Sequence, residues 1–370
     1  MTNNRLARKV GVAALSAVVA MTTLGVAPAQ AKAKALATAP VVRIGYFANL
    51  THGSAIIAHQ QKLFEKYLGA GTSVQYTLFT VGTAEIEALK AGAIDVGFVG
   101  PNPAISGYTT TSGSALQIVS GATTGGAAFV VKPSLIANAG APTKAEIAAL
   151  AGKTIADPGL GGTQDVALRK YLRQNGLYSN GQPTANVVPL ANADTLAQFK
   201  LGQLDGAWLP EPWATRLVQE GGAKVFVNEA SLWKRGQFAT TVVVAAKPFL
   251  KKYPGSVQAV LKANNEAISF LNSSANRTES INEIQSELLS ATGKKLGDAV
   301  VSAAFDNLKF SADPVSVSLL TSFKAAAALA LLPAGTKVSA LKGLFNLTLE
   351  NALLKSQHSP TIKVQKAFNK

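Results

Sequence analysis

Residues 86–105, IEALKAGAIDVGFVGPNPAI, return later in the chain as residues 196–215, LAQFKLGQLDGAWLPEPWAT. Each stretch has the pattern of a helix, a glycine stop and a strand. At a constant offset the matched pairs are Lys90 with Lys200, Gly92 with Gly202, Asp95 with Asp205, and Phe98 with Trp208. The alternative is a chance match between helix, glycine and strand patterns that are common in α/β proteins. Against it, the two stretches share the whole order of elements. The chain is therefore predicted to contain two copies of one α/β unit.

The same order of elements extends outward from both stretches. The first copy opens with the strand VVRIGYF at Val41, then the loop NLTHGS and a helix closed by Gly69. The second opens after residue 150 with the strand GKTIADPG, then the helix TQDVALRKYLRQNGL, with Gly176 at its end. Strands that alternate with helices predict a parallel sheet with helical crossovers.

Two further segments connect the copies and set the predicted boundaries. IVSGATTGGAAFVVKPS contains a glycine-rich break between two strands, and QFATTVVVAAKPFL follows the second copy in a similar position. Two crossings imply two hinge strands. We predict a first lobe over residues 41–130, a second lobe over residues 131–239, and a return to the first lobe with C-terminal helices over residues 240–370.

The N-terminal residues 1–31 have the pattern of a secretory signal peptide. Arg5, Arg8 and Lys9 precede an apolar run, and Ala29-Gln30-Ala31 forms an A-x-A cleavage site. A lone uncleaved membrane anchor is the alternative, although the run is near the lower length limit for spanning. The chain has no cysteine, which excludes disulfides, thiolate chemistry and a lipid-bearing cysteine. We therefore expect a periplasmic or secreted protein.

Composition favours a globular protein with an anionic ligand or surface. The 370 residues are 48% hydrophobic and carry a formal net charge of +15. Removal of the three basic residues of the signal lowers this charge to +12. Lysines are scattered singly or in pairs, with no basic run interleaved with aromatics, which argues against nucleic acid as a partner. A generally basic and soluble surface is the simpler interpretation of the charge.

The loop PGLGGTQ at the start of the second copy is the first candidate site. Its glycines fail both nucleotide fingerprints, because G-x-G-x-x-G would need its last glycine at Gln164 and no G-K-[ST] follows. What remains is a helix start that binds an anion through Gly162, Thr163 as N-cap, and Gln164. Asp165 is favoured as a structural residue of the first helical turn. A plain turn between strand and helix is the alternative for the whole loop.

Other polar loops follow strands at the same predicted edge of the sheets, where ligands of open parallel sheets bind. Trp213 either lines the cleft, donates its indole N–H or only packs, and His52 is a ligand or an ordinary surface group. These loops supply the candidates Asn49, Thr51 and His52 before the first helix, Thr83 as cap of the second, Asn102 in Pro101-Asn102-Pro103, Thr124 at the first crossing, and Glu211 with Trp213 in the second copy.

Catalytic chemistry has little support in the sequence. The three histidines give no H-E-x-x-H motif and no zinc spacing, and no G-x-S-x-G elbow is present. We therefore expect no enzyme activity, no cofactor and no metal. A secreted hydrolase or transferase that uses Glu211 and Asp165 is the alternative from another class.

Three stretches resemble a known family. GTQDVALRKYLRQNGL, LGQLDGAWLPEPWATRLVQEGG and GAIDVGFVGPNPAI are similar to segments of the solute-binding proteins of ABC importers for nitrate, sulfonate and taurine. That resemblance implies a type II periplasmic-binding-protein fold, in which two α/β lobes joined by two hinge strands close on one small anion. It maps the ligand residues of the family onto Thr51, His52, Thr83, Asn102, Gly162, Thr163, Glu211 and Trp213.

The resemblance also implies a function. We expect an exported, monomeric solute-binding protein that carries a small sulfonate-type anion to a membrane permease and its ATPase. The expected ligand is an aliphatic sulfonate or a taurine-like zwitterion, because Glu211 would repel a bound sulfonate unless the ligand also carries an amine or Glu211 points away from it. Nitrate, bicarbonate and a thiamine-precursor pyrimidine are the alternative ligands.

Overall fold

The structure is a computed structural model that describes residues 35–369. The predicted signal peptide over residues 1–31 lies outside the described residues. Within the described part of the chain, no helix has the length and hydropathy needed to cross a bilayer.

Helices and strands alternate along most of the chain. The strands are β1 Val41–Tyr46, β2 Ser73–Leu78, β3 Val96–Val99, β4 Leu116–Gly125, β5 Ala127–Val131, β6 Thr154–Asp157, β7 Tyr178–Ser179, β8 Gln182–Pro183, β9 Asn186–Pro189, β10 Gly206–Pro210, β11 Lys224–Asn228, β12 Ala239–Ala246 and β13 Leu308–Phe310. The helices are α1 Gly53–Gln60, α2 Leu63–Leu68, α3 Gly82–Lys90, α4 Pro101–Thr110, α5 Lys144–Ala148, α6 Thr163–Gln174, α7 Asn192–Lys200, α8 Trp213–Gly221, α9 Lys247–Lys252, α10 Pro254–Asn272, α11 Arg277–Thr292, α12 Asp298–Asp306, α13 Ser316–Ala328 and α14 Thr348–Ser356.

The strands form two main sheets with matching orders. The first sheet runs β13-β4-β12-β3-β1-β2, and the second runs β11-β5-β10-β6-β9. In the first, β1 pairs in parallel with β2 and β3, while β12 is antiparallel to β3. In the second, β6 pairs in parallel with β9 and β10, while β5 is antiparallel to β10. The predicted repeat is therefore confirmed at the level of strand order.

Helix starts follow the repeat as closely as the strands do. The helices α1 and α6 begin at Gly53 and Thr163, and α3 and α7 begin at Gly82 and Asn192. Both pairs keep the offset that separates Lys90 from Lys200. Equivalent helix starts therefore lie at equivalent positions at the carboxyl ends of the two sheets.

The chain passes between the sheets twice. The first crossing follows β4 directly, at Gly125 and Gly126, whose φ angles of 77° and 70° favour glycine. A Cβ on Gly126 would lie 2.0 Å from Cδ2 of Leu308, so a larger residue there requires the Leu308 side chain to move. The second crossing lies between β11 and β12. The strand β12 is buried along its whole length, as expected for a central strand covered on both faces.

The C-terminal helical patterns are confirmed, and one predicted helix is corrected. The helices α10 and α11 pack on α1, and the buried Val257 and Val260 of α10 share a core with β1. The helix predicted to run to Gly69 is divided into α1 and α2, because Lys62 adopts a left-handed conformation with φ of 55°. Such a residue interrupts the helical hydrogen-bond ladder.

Glu350 of α14 carries a prediction about stability. Its side chain is fully buried, Asn265 Nδ2 donates to its Oε1 at 2.8 Å, and burial raises its pKa to about 7. In the unfolded chain a glutamate titrates near 4.3. The folded state therefore holds the proton more tightly, and the stability from this group, complete below about pH 4, is lost as pH rises through 7.

We expect Glu350→Gln to be more stable than the wild type at pH 8 by on the order of 2–3 kcal/mol, with a much smaller difference at pH 4.5. Urea denaturation at both pH values measures this difference. The exposed Glu279 provides the control, because Glu279→Gln leaves the buried contact between Glu350 and Asn265 intact and should keep most of the pH dependence of the wild type. Parallel pH profiles for Glu350→Gln and the wild type would contradict the assignment.

Candidate functional site

A small cavity with eight polar side chains in its lining, here called the polar cavity, lies where the carboxyl ends of both sheets meet. Its lining includes residues that follow β1, β3, β6 and β10, and its volume is about 40 Å³. A single buried water needs roughly 10–15 Å³ on a comparable measure, so the cavity has room for a group of a few heavy atoms. Within residues 35–369, its lining contains no aspartate, glutamate, lysine or arginine.

Several helices begin at this cavity. Gly82, Thr163 and Asn192 lie in its lining as the first residues of α3, α6 and α7, and Gly100 lies there as the N-cap of α4. None of these four helices has a side-chain hydrogen bond at its cap. The first N–H groups of a helix have no intrahelical acceptor, and the helix dipole places partial positive charge there. The cavity is therefore electrostatically suited to an oxyanion.

Thr163 has a different place in its helix from the one predicted. Gly162 is the N-cap of α6, and Thr163 is the first helical residue, so its side chain is not used for capping. Its Oγ1 is buried and has no hydrogen-bond partner among the described residues. An unpaired buried hydroxyl costs free energy that a ligand can recover by bonding to it.

Asn49 is oriented by a residue from the second copy. The indole N–H of Trp213 donates to Asn49 Oδ1 at 2.8 Å, and Asn49 makes no side-chain cap to the turn that follows it. The amide oxygen is thereby occupied by Trp213. Since Asn49 lines the cavity, its amide Nδ2 remains available there as a hydrogen-bond donor.

His52 lies in the cavity wall as a neutral side chain. The backbone N–H of Phe47 donates to His52 Nδ1 at 3.3 Å, and the two rings stack with centroids 4.5 Å apart. Burial lowers the pKa of His52 to about 3. The neutral imidazole therefore carries its proton on Nε2, where it can donate without a formal charge.

The loop before α6 is held by two buried carboxyl groups. Asp157 Oδ1 accepts from the N–H of Gly159 at 2.8 Å, and Asp165 Oδ2 accepts from the N–H of Gly161 at 2.8 Å. Asp165 also pairs with Arg169. Burial, reinforced by the charge of Asp165, raises the pKa of Asp157. Asp165 thus has the predicted structural role. It holds the loop through Gly161 and lies outside the cavity lining.

The structure brings six of the predicted site residues together and places five elsewhere. Asn49, Thr51, His52, Gly162, Thr163 and Gln164 line the cavity. Outside its lining lie Thr83, Asn102, Thr124, Glu211 and Trp213.

The local structure explains why Thr83 and Thr124 lie outside the cavity lining. The helix α3 begins at Gly82 with Val81 as N-cap, so Thr83 is an exposed residue of the first turn and does not cap. Thr124 Oγ1 donates to the carbonyl of Lys309 at 3.3 Å, where β4 meets β13. Asn102 is buried in the first turn of α4, and neither polar atom of its side chain has a partner among the described residues.

Glu211 is engaged by protein groups and borders a different cavity. Its carboxylate accepts from the N–H and Oγ1 of Thr215 at 3.1 and 2.9 Å, and from Asn307 Nδ2 at 2.8 Å. Burial raises its pKa, against the lowering effect of these donors. The interpretation that Glu211 would meet a ligand ammonium group does not fit this geometry, because Asn307 and Thr215 already occupy the carboxylate.

Several lining residues were not predicted from the sequence, among them Phe47, Thr80, Asn192 and Thr240. Asn192 had a signal in the repeat, since it corresponds to Gly82 at the offset of the matched stretches. Thr240 had none, because it reaches the cavity only through the return crossing into β12, where its hydroxyl donates to the carbonyl of Gly125. No cluster of three or more potential metal ligands occurs within residues 35–369.

Comparisons with known proteins agree with this architecture. Residues 36–285 match the model of the NMT1-like family. A putative aliphatic sulfonates-binding protein of Escherichia coli (strain K12) is 30% identical over 257 residues, which are 69% of this chain and 72% of that protein.

Solved structures show the same fold. The alkanesulfonate-binding protein SsuA from Xanthomonas axonopodis pv. citri, bound to MOPS, is 24% identical with a TM-score of 0.64 over 80% of this chain and 96% of that one. The periplasmic nitrate-binding protein NrtA from Synechocystis PCC 6803 is 17% identical with a TM-score of 0.72 over 88% and 91% of the two chains. The predicted α/β fold of the periplasmic-binding-protein type is confirmed.

Proposed function

We propose a function that follows from the family to which the chain belongs. It is a member of the NMT1-like family. The protein is the solute-binding component of an ABC importer, and its ligand is a small sulfonate-type anion held in the polar cavity. The observation that carries this proposal is the set of uncapped helix starts around the unpaired Thr163 hydroxyl. These groups replace the water molecules that a sulfonate loses on binding.

A sulfonate suits the donors better than a zwitterion does. The cavity offers backbone N–H groups, the Thr163 hydroxyl and the Asn49 amide, all of which donate to oxygen. It offers no carboxylate to an ammonium group. We therefore propose a simple sulfonate in preference to taurine, which selects one of the two ligands that the sequence left open.

Closure of the two sheets on the ligand is the proposed mechanism. Thr163 of α6 approaches Gly100 so closely that a Cβ there would lie 2.5 Å from its Oγ1, and Trp213 bonds to Asn49. Each contact joins a residue that follows the first sheet to one that follows the second. We propose that these sheets form the two lobes, and that the lobes move about the crossings at Gly125–Gly126 and between β11 and β12.

The cellular setting belongs to the same proposal. We propose an exported, monomeric protein that delivers its ligand to a permease and ATPase at the membrane. We also propose that it performs no covalent chemistry. In support, Glu211 and Asp165, the carboxylates on which an enzymatic role would depend, both have protein partners and lie outside the cavity lining.

A thermal-shift screen tests the ligand class. The candidates are small sulfonates, nitrate, bicarbonate and aromatic acids, each added to the purified protein. A sulfonate at 100 times its dissociation constant should add roughly 2.7 kcal/mol to the free energy of unfolding. A shift with nitrate or bicarbonate alone would replace sulfonate as the ligand, and the absence of a shift with every anion would overturn the proposal.

The state of His52 predicts how affinity depends on pH. With its pKa lowered to about 3, His52 stays neutral from pH 5 to pH 7, a range in which an ordinary histidine with a pKa near 6.5 loses its charge. We expect sulfonate affinity to change less than twofold across that range, as measured by calorimetry. A tenfold gain in affinity at pH 5 would show that a protonated His52 pairs with the anion.

A further inference from the structure

A pair of buried carboxyl groups lies beside the loop that leads into α6. Asp157 is the last residue of β6 and Asp165 is in the first turn of α6, and both are fully buried. The two side chains lie within hydrogen-bonding reach of each other. Pro158 and Gly159, which follow Asp157, line the polar cavity, whereas neither carboxyl group does. The loop therefore contacts the carboxyl pair and the cavity at the same time.

The hydrogen bonds of the pair leave one oxygen of Asp157 without a donor. Asp157 Oδ1 accepts from the N–H of Gly159 at 2.8 Å. Asp165 accepts from the N–H of Gly161 at one oxygen and from the guanidinium of Arg169 at the other. Asp157 Oδ2 is buried and has no hydrogen-bond partner among the described residues. A proton on Oδ2 resolves this, because a buried carboxylate oxygen without a donor is costly and a protonated one donates to the neighbouring carboxylate.

The charges of the cluster also favour a single proton. Asp165 forms an ion pair with Arg169, so the three side chains are neutral together only when Asp157 carries a proton. Burial, followed by the charge of Asp165, raises the pKa of Asp157 to about 8. Geometry and charge thus agree that Asp157 is protonated at neutral pH.

The elements packed against β6 add no charge that would compensate an ionised Asp157. The flanking strands β9 and β10 contain no titratable residue, and the titratable residues of α7, Asp194 and Lys200, are exposed. Burial raises the pKa of Tyr178 of β7, which faces Arg169, so this phenol stays neutral up to pH 9. Among the described residues around β6, Asp157 is therefore the group that loses its proton between pH 7 and pH 9.

We infer that Asp157 and Asp165 hold one proton between them, and that this proton is required for the polar cavity to bind an anion tightly. The inference rests on the proposed function and assigns Asp157 as a positioning residue of the same site. Protonated Asp157 holds the loop through the N–H of Gly159 and adds no charge to it. Loss of the proton places an uncompensated negative charge next to a lining residue, where burial strengthens its repulsion of a bound oxyanion.

The pH dependence of affinity tests this inference. Because the anion binds the protonated form more tightly, affinity should be full at pH 7 and fall as pH rises through 8. We expect methanesulfonate to bind about fivefold or more weakly at pH 9 than at pH 7, as measured by calorimetry. Equal affinities at both pH values would overturn the inference and leave the sulfonate site in place. Failure of methanesulfonate to bind at pH 7 would instead count against the proposed function.

Proton uptake provides a second measurement on the unmodified protein. An anion that binds at pH 9 must restore the proton of Asp157, so binding should take up roughly 0.5 to 1 proton per anion. At pH 6.5 the proton is already present, and uptake should be close to zero. Calorimetry in buffers of different ionisation enthalpy measures this number. Binding at pH 9 without proton uptake would contradict the inference.

Asp157→Asn separates the proton from the fold. The amide reproduces the protonated carboxyl group, since its oxygen accepts from Gly159 and its N–H donates to Asp165. This variant should bind methanesulfonate within about threefold of the wild type at pH 7 and keep that affinity at pH 9. Asp205 is the matched control, because it accepts from the N–H of Thr154 at 3.0 Å at the opposite end of β6 and lies outside the cavity lining. Asp205→Asn should retain the fall in affinity, and an equal fall in Asp157→Asn would show that another group titrates.

Discussion

Replacement of Thr163 by valine is expected to weaken sulfonate binding by roughly 10- to 100-fold, because a hydrogen bond to a charged group contributes about 1.5–3 kcal/mol. The ligand-free protein should keep its stability, since Thr163 Oγ1 has no protein partner to lose among the described residues. Calorimetry with methanesulfonate and urea denaturation without ligand measure the two effects separately.

Thr195 provides a matched control for this substitution. It is a fully buried threonine of α7 whose hydroxyl donates to the carbonyls of Leu190 and Ala191 at 3.2 and 3.1 Å, and it lies outside the cavity lining. Thr195→Val should therefore cost about 1 kcal/mol of stability and leave affinity unchanged. If Thr163→Val loses stability in the same way and keeps its affinity, the hydroxyl is structural and does not serve the ligand.

Gly100→Ala is the second substitution with a large expected effect. Gly100 has φ of −62° and ψ of 148°, which alanine adopts without strain, so the substitution tests space alone. The added Cβ would lie 2.5 Å from Thr163 Oγ1. Since closure then requires Thr163 to leave its position, we expect at least a tenfold loss of sulfonate affinity, as measured by calorimetry.

A double-mutant cycle makes the steric explanation specific. In a Thr163→Ala background the atom that clashes is absent, so Gly100→Ala should cost less than threefold further. Gly71→Ala is the control, because a Cβ at Gly71 meets nothing within 4 Å. Fully additive losses at Gly100 and Thr163 would show that the two positions act independently and that their close approach has no part in binding.

The repeat made much of the fold predictable. Once Lys90 and Lys200 are matched, the order of the strands on either side follows, and so do the paired starts of α1 with α6 and of α3 with α7. Hydrophobic periodicity and glycine stops are local signals, and they sufficed to place the loop of Gly162 at the edge of a sheet. The break at Lys62 was missed because a left-handed lysine has no compositional signal.

The site itself was predictable only in part, for a physical reason. The sequence placed the start of α6 one residue too late, with Thr163 as its N-cap. Because Gly162 is the N-cap instead, the hydroxyl of Thr163 is not used for capping. Contacts between distant residues left no local trace. The bond from Trp213 to Asn49, and the one from Asn307 to Glu211, depend on how the two sheets approach each other.

A crystal structure of the protein with methanesulfonate tests the central claim most directly. The proposal predicts the sulfonate in the polar cavity at the starts of α3, α6 and α7, with one oxygen within hydrogen-bond distance of Thr163 Oγ1. A sulfonate bound elsewhere, such as the separate cavity beside Glu211, with the helix starts occupied only by water, would contradict it.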